Sequence, residues 1–349
     1  IWRVGGELED IGFDELRELT SEAGDKRSLA IAMTGLVQVL NFHGRYAEAS
    51  ALASEQVELV ESIDDPELVM ALVPTVSAIA KWDAGEMAHA LRLTRRGIDL
   101  ANGDPTLGNL MIGSPLAMAL GLRASTRCCL GIPGWRDDFD NALELARDVD
   151  KFTYCTVVMF KYIAIMNWAI LPDDRALRDT AGALEIARQF GDDFLLTNAE
   201  FTYGLVLVRR DDTDRALGFE LLAKARRVAR EHRYTVIAAW CVDLDVASEC
   251  IRTGDLDSAV RLSRAVLDEE VSCGEGINRG WSTSVLVEAL LARGHDGDLD
   301  EARATIDRLA AMPTEPVFRY HELPLLRLNA LVAQASGDHA GYAAFRDRY

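Results

Sequence analysis

The sequence lacks the motifs of the common nucleotide, dinucleotide and zinc sites. It contains no G-x-x-x-x-G-K-[ST] loop to cradle a phosphate, and no G-x-G-x-x-G follows a strand-like run. His321-Glu322 is followed by Leu323-Pro324, so no H-E-x-x-H zinc helix forms, and the six histidines are scattered. These absences predict a chain that is not itself an enzyme and that holds no metal and no cofactor.

The chain also has little basic charge and no paired cysteines. Its 349 residues include 37 basic and 56 acidic side chains, a formal net charge of -19, which would repel a phosphate backbone. Direct binding of nucleic acid is therefore not expected. The six cysteines form no C-x-x-C pair and lie mostly in apolar stretches, where a thiol behaves as a small hydrophobe. We expect a reducing cytoplasm and no disulfides.

A signal peptide and a true membrane span are missing as well. The chain opens without methionine or a charged-then-apolar leader, which suggests a piece of a longer protein. Residues 152–171 are mostly apolar over about the length that a bilayer needs. Lys161 and Asn167 interrupt this stretch, so we expect a buried helix and no membrane contact.

What the sequence does contain is a repeated phrase of a glycine or polar turn, then aspartates, then an alanine. The clearest copies are Gly254-Asp-Leu-Asp-Ser-Ala259 and Gly297-Asp-Leu-Asp-Glu-Ala302. The anchoring alanines are at positions 49, 90, 142, 176, 216, 259 and 302. Their mean spacing of about 42 residues lies in the range of two-helix repeats.

Each part of the repeated phrase is predicted to end a helix, to start the next one or to let the two pack closely. Gly254 can take the left-handed conformation that ends a helix, and Asp255 can accept hydrogen bonds from the amides that open the next one. Asp257 adds negative charge near that positive helix end. The alanine permits close packing of the pair, and a small residue lies twelve positions before it in several copies. The acidic pairs are therefore predicted to be helix caps rather than catalytic acids and bases.

Two of the copies resemble the tetratricopeptide repeat. The stretches Tyr203-Gly-Leu-Val-Leu-Val-Arg-Arg-Asp-Asp-Thr-Asp-Arg-Ala216 and Val246-Ala-Ser-Glu-Cys-Ile-Arg-Thr-Gly-Asp-Leu-Asp-Ser-Ala259 keep the order of that repeat. The departures are a longer period, few large aromatic residues, and an insertion at 131–136. We predict an all-α fold, a right-handed α-solenoid of about seven long tetratricopeptide-like helix pairs.

This fold predicts one helical-repeat array over residues 1–349. Residues 1–25 would form a partial leading repeat, residues 26–312 the helix pairs, and residues 313–349 the terminal capping helices. A solenoid grows by adding units and needs no separate cores, so the length does not require several domains.

A narrower resemblance is to the carboxy-terminal repeat region of actinobacterial, especially mycobacterial, multidomain regulators. It lies in Lys81-Trp-Asp-Ala-Gly-Glu-Met-Ala-His-Ala90, in residues 103–117 and in Leu130-Gly-Ile-Pro-Gly-Trp-Arg136. In that family an adenylyl cyclase or LuxR-type DNA-binding domain accompanies a signal-transduction ATPase and a repeat array. The resemblance implies that this chain is a sensor arm whose partners include the other domains of its parent.

Candidate ligand residues follow from mapping the tetratricopeptide groove positions onto this chain. They are Gln38, Asn41, Thr75, Trp82, Lys161 and Trp168. A lysine on an apolar helix must reach water, a carboxylate or a ligand, so an acidic partner within the chain is the alternative for Lys161. The tryptophans have packing as their alternative.

The insertion at 131–136 supplies the candidate partner loop. Pro133-Gly134 forces a turn, and Trp135 beside Arg136 could contact a partner surface. The alternative places Trp135 under its own loop.

Three functions stay open from the sequence. The first is a non-enzymatic sensor module whose groove binds a peptide, a protein or a small effector. The second is a structural arm that oligomerises without a ligand, and the third is an enzyme whose site the motifs do not reveal.

Overall fold

The computed structural model is helical in every part that it describes. The described residues are 24–110, 113–210, 212–231, 236–312 and 318–349. Within these ranges the regular elements are helices and no strand occurs, which confirms the all-α class. The predicted partial leading repeat and the proline-rich segment before the last helices lie almost wholly outside the described residues.

Contacts between Cα atoms divide the chain into two compact units. The first unit contains residues 1–128 and 132–239, and the second contains residues 129–131 and 240–349. The prediction of a single array over the whole chain stays a prediction.

The first unit is a succession of helices with one π-helical and one 3-10 segment. In chain order they are α1 (Lys26–Phe42), α2 (Tyr46–Glu61), α3 (Pro66–Leu72), the π-helical segment Val73–Ser77, α4 (Ala78–Asp83), α5 (Met87–Ala101), α6 (Pro115–Leu130), α7 (Trp135–Val149), α8 (Lys151–Tyr162), the 3-10 segment Ile163–Asn167, α9 (Asp174–Phe190), α10 (Asp193–Arg210) and α11 (Asp212–Glu231).

The second unit contains most of α12 and the helices that follow it. These are α12 (Val236–Thr253), α13 (Leu256–Cys273), α14 (Arg279–Arg293), α15 (Asp298–Ala310), α16 (Arg319–Ala335) and α17 (His339–Arg346). Within both units consecutive helices pack against each other, as α1 does with α2, α10 with α11, and α14 with α15. This confirms the predicted solenoid of successive helix pairs.

The repeated phrase works as a helix stop and a helix start. Gly254 has φ +88°, and the next amide, that of Asp255, donates to the Cys250 carbonyl oxygen at 2.9 Å. The Asp255 carboxylate then accepts from the Ser258 amide at 3.3 Å and caps α13. Ala259 is fully buried. The interpretation of the aspartate as a cap is confirmed at this copy.

The fifth copy corrects the sequence analysis. Ala216, which we expected to be the close-packing residue, is exposed, and Gly218 is buried in its place. A Cβ on Gly218 would lie 2.7 Å from a methyl group of Val208, so α10 and α11 approach closely there.

Ion pairs about one repeat apart join neighbouring helix pairs within each unit. In the first unit they are Arg96–Glu61, Arg175–Asp140 and Arg210–Asp174, and in the second Arg264–Glu301, Arg293–Asp257 and Arg327–Glu288. Exposed pairs of this kind contribute roughly 0–1 kcal/mol each. The acidic residues of the phrases therefore serve the scaffold.

The apolar stretch at residues 152–171 forms α8 and the 3-10 segment. Val157, Val158 and Ile165 are buried in the first unit, as expected for a core helix. Among the described helices, none combines the length and the apolar character that crossing a bilayer requires.

Candidate functional site

The last turns of α1 supply an uncharged polar face. Gln38 precedes Asn41 by three residues and Phe42 by four, so the three side chains share one side of the helix. Gln38 and Asn41 are buried, and Phe42 is half-buried. The sequence analysis named Gln38 and Asn41 but not Phe42.

A hydrogen bond joins this face to the end of α4. The Asn41 Nδ2 donates to the Asp83 Oδ2 at 2.6 Å, which fixes the orientation of the amide. The Asn41 Oδ1 is then left buried with no hydrogen-bond partner within the described part of the chain. Asn41 is thereby bonded to the residue that follows Trp82, another of the predicted groove residues.

The Trp82 indole is buried with its polar atom unpaired. Its ring packs edge-to-face on Phe160 of α8, with the ring centroids 5.8 Å apart. The Nε1 atom has no hydrogen-bond partner in the described ranges, although the side chain is only 6% exposed. Buried N–H groups almost always have partners, so this donor requires an explanation.

Aromatic rings from α8 and α10 complete the same surface. Phe152 stacks on Phe194 with an interplanar angle of 18°, and Phe194 lies 5.2 Å from Phe42 between ring centroids. Because Phe42 is in the first helix pair and Phe194 in the fifth, the first helices of these pairs converge on a common interior. Asn198 follows Phe194 by one turn, is buried, and also leaves its Oδ1 without a partner.

We call this surface the inner face. It consists of Gln38, Asn41, Phe42, Trp82, Phe152, Phe160, Phe194 and Asn198. Carboxamides and aromatic rings make up the whole set, and Asp83 is the charged neighbour that bonds to it. The sequence analysis missed the phenylalanines and Asn198, because their convergence depends on helices that are far apart in the chain.

Thr75 and Lys161 are engaged elsewhere. The Thr75 hydroxyl donates to the Ala71 carbonyl oxygen of its own helix at 2.6 Å. The Lys161 Nζ lies 3.0 Å from the Asp140 Oδ1, and Arg175 bonds to the same carboxylate. Partial burial acts to raise the pKa of Asp140, but the hydrogen bonds from Lys161 and Arg175 outweigh it and lower that pKa. Lys161 thus has the acidic partner that the sequence analysis kept as its alternative.

Trp168 and the predicted partner loop meet at a different surface. Trp168 ends the 3-10 segment with a left-handed φ of +57° and is 68% exposed. The Arg136 guanidinium lies 3.9 Å over the Trp135 ring and donates to the Ala169 carbonyl oxygen at 3.4 Å. Trp135 itself packs on Phe139 and is almost buried. We call Trp135, Arg136, Trp168 and Leu171 the tryptophan loop surface.

The second unit has a buried polar cluster that the sequence did not reveal. Glu270 accepts from the Ser282 hydroxyl, and Glu275 accepts from the amides of Ile277 and Asn278 at 2.8 and 2.9 Å. Both carboxylates are buried to about 1% exposure.

Burial, with the nearby charge of Glu275, raises the pKa of Glu270 well above its ordinary value. Burial also raises the pKa of Glu275 to about 7, although hydrogen bonds from Asn278 and Ile277 act in the opposite direction. Burial lowers the pKa of His321, on the neighbouring α16, to about 4, and the positive charge of Arg279 adds to this effect. The cluster is thus sensitive to proton concentration near neutrality.

The described residues contain no group of three or more His, Cys, Asp or Glu side chains placed to hold a metal ion. The cysteines at 128, 129, 155 and 241 are buried, and burial raises the pKa of Cys155 to about 12. Such a thiol stays protonated and is a poor nucleophile.

Comparisons with known proteins find similarity in structure and none in sequence. No protein-family model matches the chain, and no curated protein matches it in sequence. A solved structure from Pyrococcus horikoshii, described as a signal transduction ATPase with numerous domains and a tetratricopeptide repeat sensor, matches with a TM-score of 0.41 and 12% identity. The match covers 93% of this chain and 52% of that one, so this chain spans about half the length of the solved protein. At this TM-score the match does not bear on fold or function.

Proposed function

We propose that the chain is a non-enzymatic binding module whose inner face takes an effector. The observation that carries the proposal is the Trp82 Nε1, a donor that is buried among aromatic rings without a hydrogen-bond partner in the described part of the chain. Leaving such a group unsatisfied costs roughly 1–3 kcal/mol. A bound effector that accepts from Trp82 would recover this energy, as a site formed in advance requires.

The unpaired amide oxygens of Asn41 and Asn198 support the same site. Both oxygens are buried, and both belong to helices whose phenylalanines meet at Phe42–Phe194. The contact between Phe42 and Phe194 shows that the helices which carry Asn41 and Asn198 meet.

The context of the module is also part of the proposal. The resemblance to actinobacterial regulators supports a cytoplasmic parent protein that carries an adenylyl cyclase or LuxR-type domain with a signal-transduction ATPase. Occupancy of the inner face would be relayed to those domains. The effector could be a peptide, a protein segment or a small molecule.

The test is a thermal-shift screen of the chain against small effectors and synthetic peptides, followed by calorimetry on each hit. Trp82→Phe keeps an aromatic ring and removes the N–H, so we expect binding to weaken about 10-fold, which corresponds to about 1.4 kcal/mol. The substitution also removes buried atoms and so lowers stability, but it breaks no hydrogen bond of the N–H within the described ranges.

Trp240→Phe is the matched control. Trp240 is also buried, but its Nε1 donates to the Glu269 carboxylate in the second unit. This variant should lose more stability than Trp82→Phe, because it also breaks a hydrogen bond, and it should keep its affinity. Absence of any ligand, or equal affinity losses in the two variants, would count against the proposal.

A second candidate function rests on the tryptophan loop surface. Trp168 and Leu171 are 68% and 66% exposed, and the stacked Arg136 adjoins them. Exposed tryptophan and arginine side chains are typical of protein contacts, so this surface favours a structural role in assembly. Light scattering of wild type and Trp168→Gly at high concentration checks it: association that the substitution abolishes supports the role, and a strictly monomeric wild type removes it.

A further inference from the structure

Trp168 occupies a backbone conformation that is unfavourable for a tryptophan. Among the described residues other than glycine, Asp64, Asn102 and Trp168 are the ones with a positive φ. Asp and Asn tolerate this conformation because their short polar side chains can bond locally, whereas a tryptophan carries the full steric cost of its Cβ. The Trp168 ring is 68% exposed, so burial does little to offset that cost. Strain at a side chain that the fold does not bury points to a contact outside the chain.

Arg136 is held in place beside this tryptophan. Its guanidinium lies 3.9 Å over the Trp135 ring and donates to the Ala169 carbonyl oxygen at 3.4 Å. Ala169 directly follows Trp168, so the cation and the exposed indole lie on one surface. Because the ring and the carbonyl hold the guanidinium, this cation is ordered before a partner arrives, which lowers the entropic cost of binding.

The Arg136 cation is available to a partner. Among the described residues its guanidinium contacts a ring and a backbone carbonyl oxygen but no carboxylate. Two acidic residues of α7 are already engaged by other cations, since Asp138 bonds to Arg127 at 2.8 Å and Asp140 to Lys161 at 3.0 Å. A carboxylate that adjoins an apolar side chain would therefore complement the tryptophan loop surface.

The net charge favours a short segment of another protein over a second copy of this chain. Each copy carries a formal net charge of -19, so association of two copies would bring two acidic surfaces together. A short segment brings only the charges that it carries. At physiological ionic strength, exposed charges more than about 8 Å away are largely screened, so the local charge of Arg136 decides the contact.

We propose that the tryptophan loop surface binds a short segment of another protein in which an acidic side chain adjoins an apolar one. The carboxylate of the segment pairs with Arg136, and its apolar side chain packs on Trp168 and Leu171, which is 66% exposed. This inference rests on the surface of the second candidate function and gives that surface a partner of a different sequence. It is independent of the inner face.

The test is selection of a displayed library of random peptides on the immobilised full chain. A parallel selection on the Trp168→Ala chain removes peptides that bind elsewhere. Peptides retained by the wild type alone should be enriched in Asp or Glu next to Leu, Ile, Phe or Trp. In calorimetry with the selected peptides, Trp168→Ala keeps the strained backbone but loses the ring and should weaken binding about 10-fold or more. Arg136→Gln should weaken it several-fold.

Phe190→Ala is the matched control. Phe190 is 53% exposed at the end of α9, and the residue with positive φ that follows it is a glycine, Gly191. This variant should keep the wild-type Kd. A charge exchange gives a second check: Arg136→Glu should lose the acidic peptide and bind the same peptide with its acidic residue replaced by Lys.

The outcomes separate this inference from both functions proposed above. Selected peptides without a carboxylate, or no peptide that depends on Trp168, would overturn it. So would association of the wild-type chain that Trp168→Ala abolishes in light scattering, because the partner would then be a second copy. Peptides that depend on Trp82 and not on Trp168 bind the inner face, so the function proposed for that face would stand while this inference fails.

Discussion

The interiors of the two units bury polar groups of different kinds. The inner face of the first unit contains carboxamides and an indole, of which the Asn41 Oδ1, the Asn198 Oδ1 and the Trp82 Nε1 have no partner in the described residues, and none of these groups changes charge near neutral pH. The second unit buries Glu270, Glu275 and His321, which are ionisable and whose pKa values are shifted by burial. The first unit thus buries polar groups that cannot ionise near neutral pH, and the second unit buries groups that can.

Gly280 is tightly packed beside the buried polar cluster of the second unit. A Cβ on Gly280 would lie 1.9 Å from the Tyr320 backbone carbonyl oxygen, so α14 and α16 would have to separate. We expect Gly280→Ala to lower the free energy of unfolding by about 3 kcal/mol, the upper part of the range for overpacking. Chemical denaturation followed by circular dichroism measures this.

Gly182→Ala is the matched control. Gly182 lies within α9, and a Cβ there would meet nothing within 4 Å. The exposed helical position should gain roughly 0.5–1 kcal/mol from the substitution. Equal stability of the two variants would show that the close approach of α14 and α16 is wrong.

The acidic pair predicts a pH dependence confined to the second unit. Folding raises the pKa of Glu270 and Glu275 above that of the unfolded chain, so their contribution to stability is present at low pH and lost as pH rises, which for Glu275 happens through about pH 7. His321 has a lowered pKa of about 4 and acts in the opposite direction, but only below its unfolded value of about 6.5. Between pH 6.5 and 8 we expect a loss of about 1–2 kcal/mol, since one pKa unit equals about 1.4 kcal/mol.

Glu270→Gln sharpens this comparison. The amide keeps the size of the side chain and can still bond to Ser282, but it cannot ionise. Urea unfolding at pH 6.5, 7.2 and 8.0 should show a flatter profile in the variant, whereas Trp82→Phe should keep the wild-type slope. A wild-type profile that rises over this range would contradict the account of the cluster.

Trp168 allows a smaller test at the surface of the first unit. Trp168 has a positive φ just after a helical segment ends. After α1, α4 and α12 the residue in this conformation is a glycine, at Gly44, Gly85 and Gly254. The hydrogen bonds are equivalent: Ala169 donates to the Ala164 carbonyl oxygen at 3.1 Å, as Glu86 does to that of Lys81 at 2.8 Å. A left-handed conformation costs a residue with a Cβ roughly 1–2 kcal/mol.

Trp168→Gly should therefore stabilise the chain by about 1 kcal/mol, as measured by thermal unfolding. Trp168→Ala retains the Cβ and should not gain this stability. The inner-face affinity should be the same in both variants. If Ala and Gly give equal stability, the strain assigned to Trp168 is absent.

The sequence predicted the features that depend on local chemistry. The stop at Gly254 and the cap at Asp255 are set by residues within one turn of each other, and the structure has both. At the fifth copy the same phrase misled, because Gly218 and not Ala216 is the small residue that faces α10.

The candidate site was less accessible to sequence reasoning. Offsets from the anchors selected Gln38, Asn41 and Trp82, since each lies at a fixed place on its own helix, and their role in binding stays a prediction. They could not identify Phe194, because its contact with Phe42 depends on how the helix pairs between α1 and α10 pack in three dimensions. They also could not show that Asp140 engages Lys161, because charged side chains occur at almost every turn.

The Trp82 indole N–H tests the central claim most directly. In a 15N-labelled sample, its NMR signal is identified as the indole peak that Trp82→Phe removes. The account predicts that this peak moves downfield when an effector binds, because the N–H gains a hydrogen-bond acceptor, while the Trp240 indole peak stays in place. An effector that binds with a measurable Kd and leaves the Trp82 peak unmoved would contradict the account.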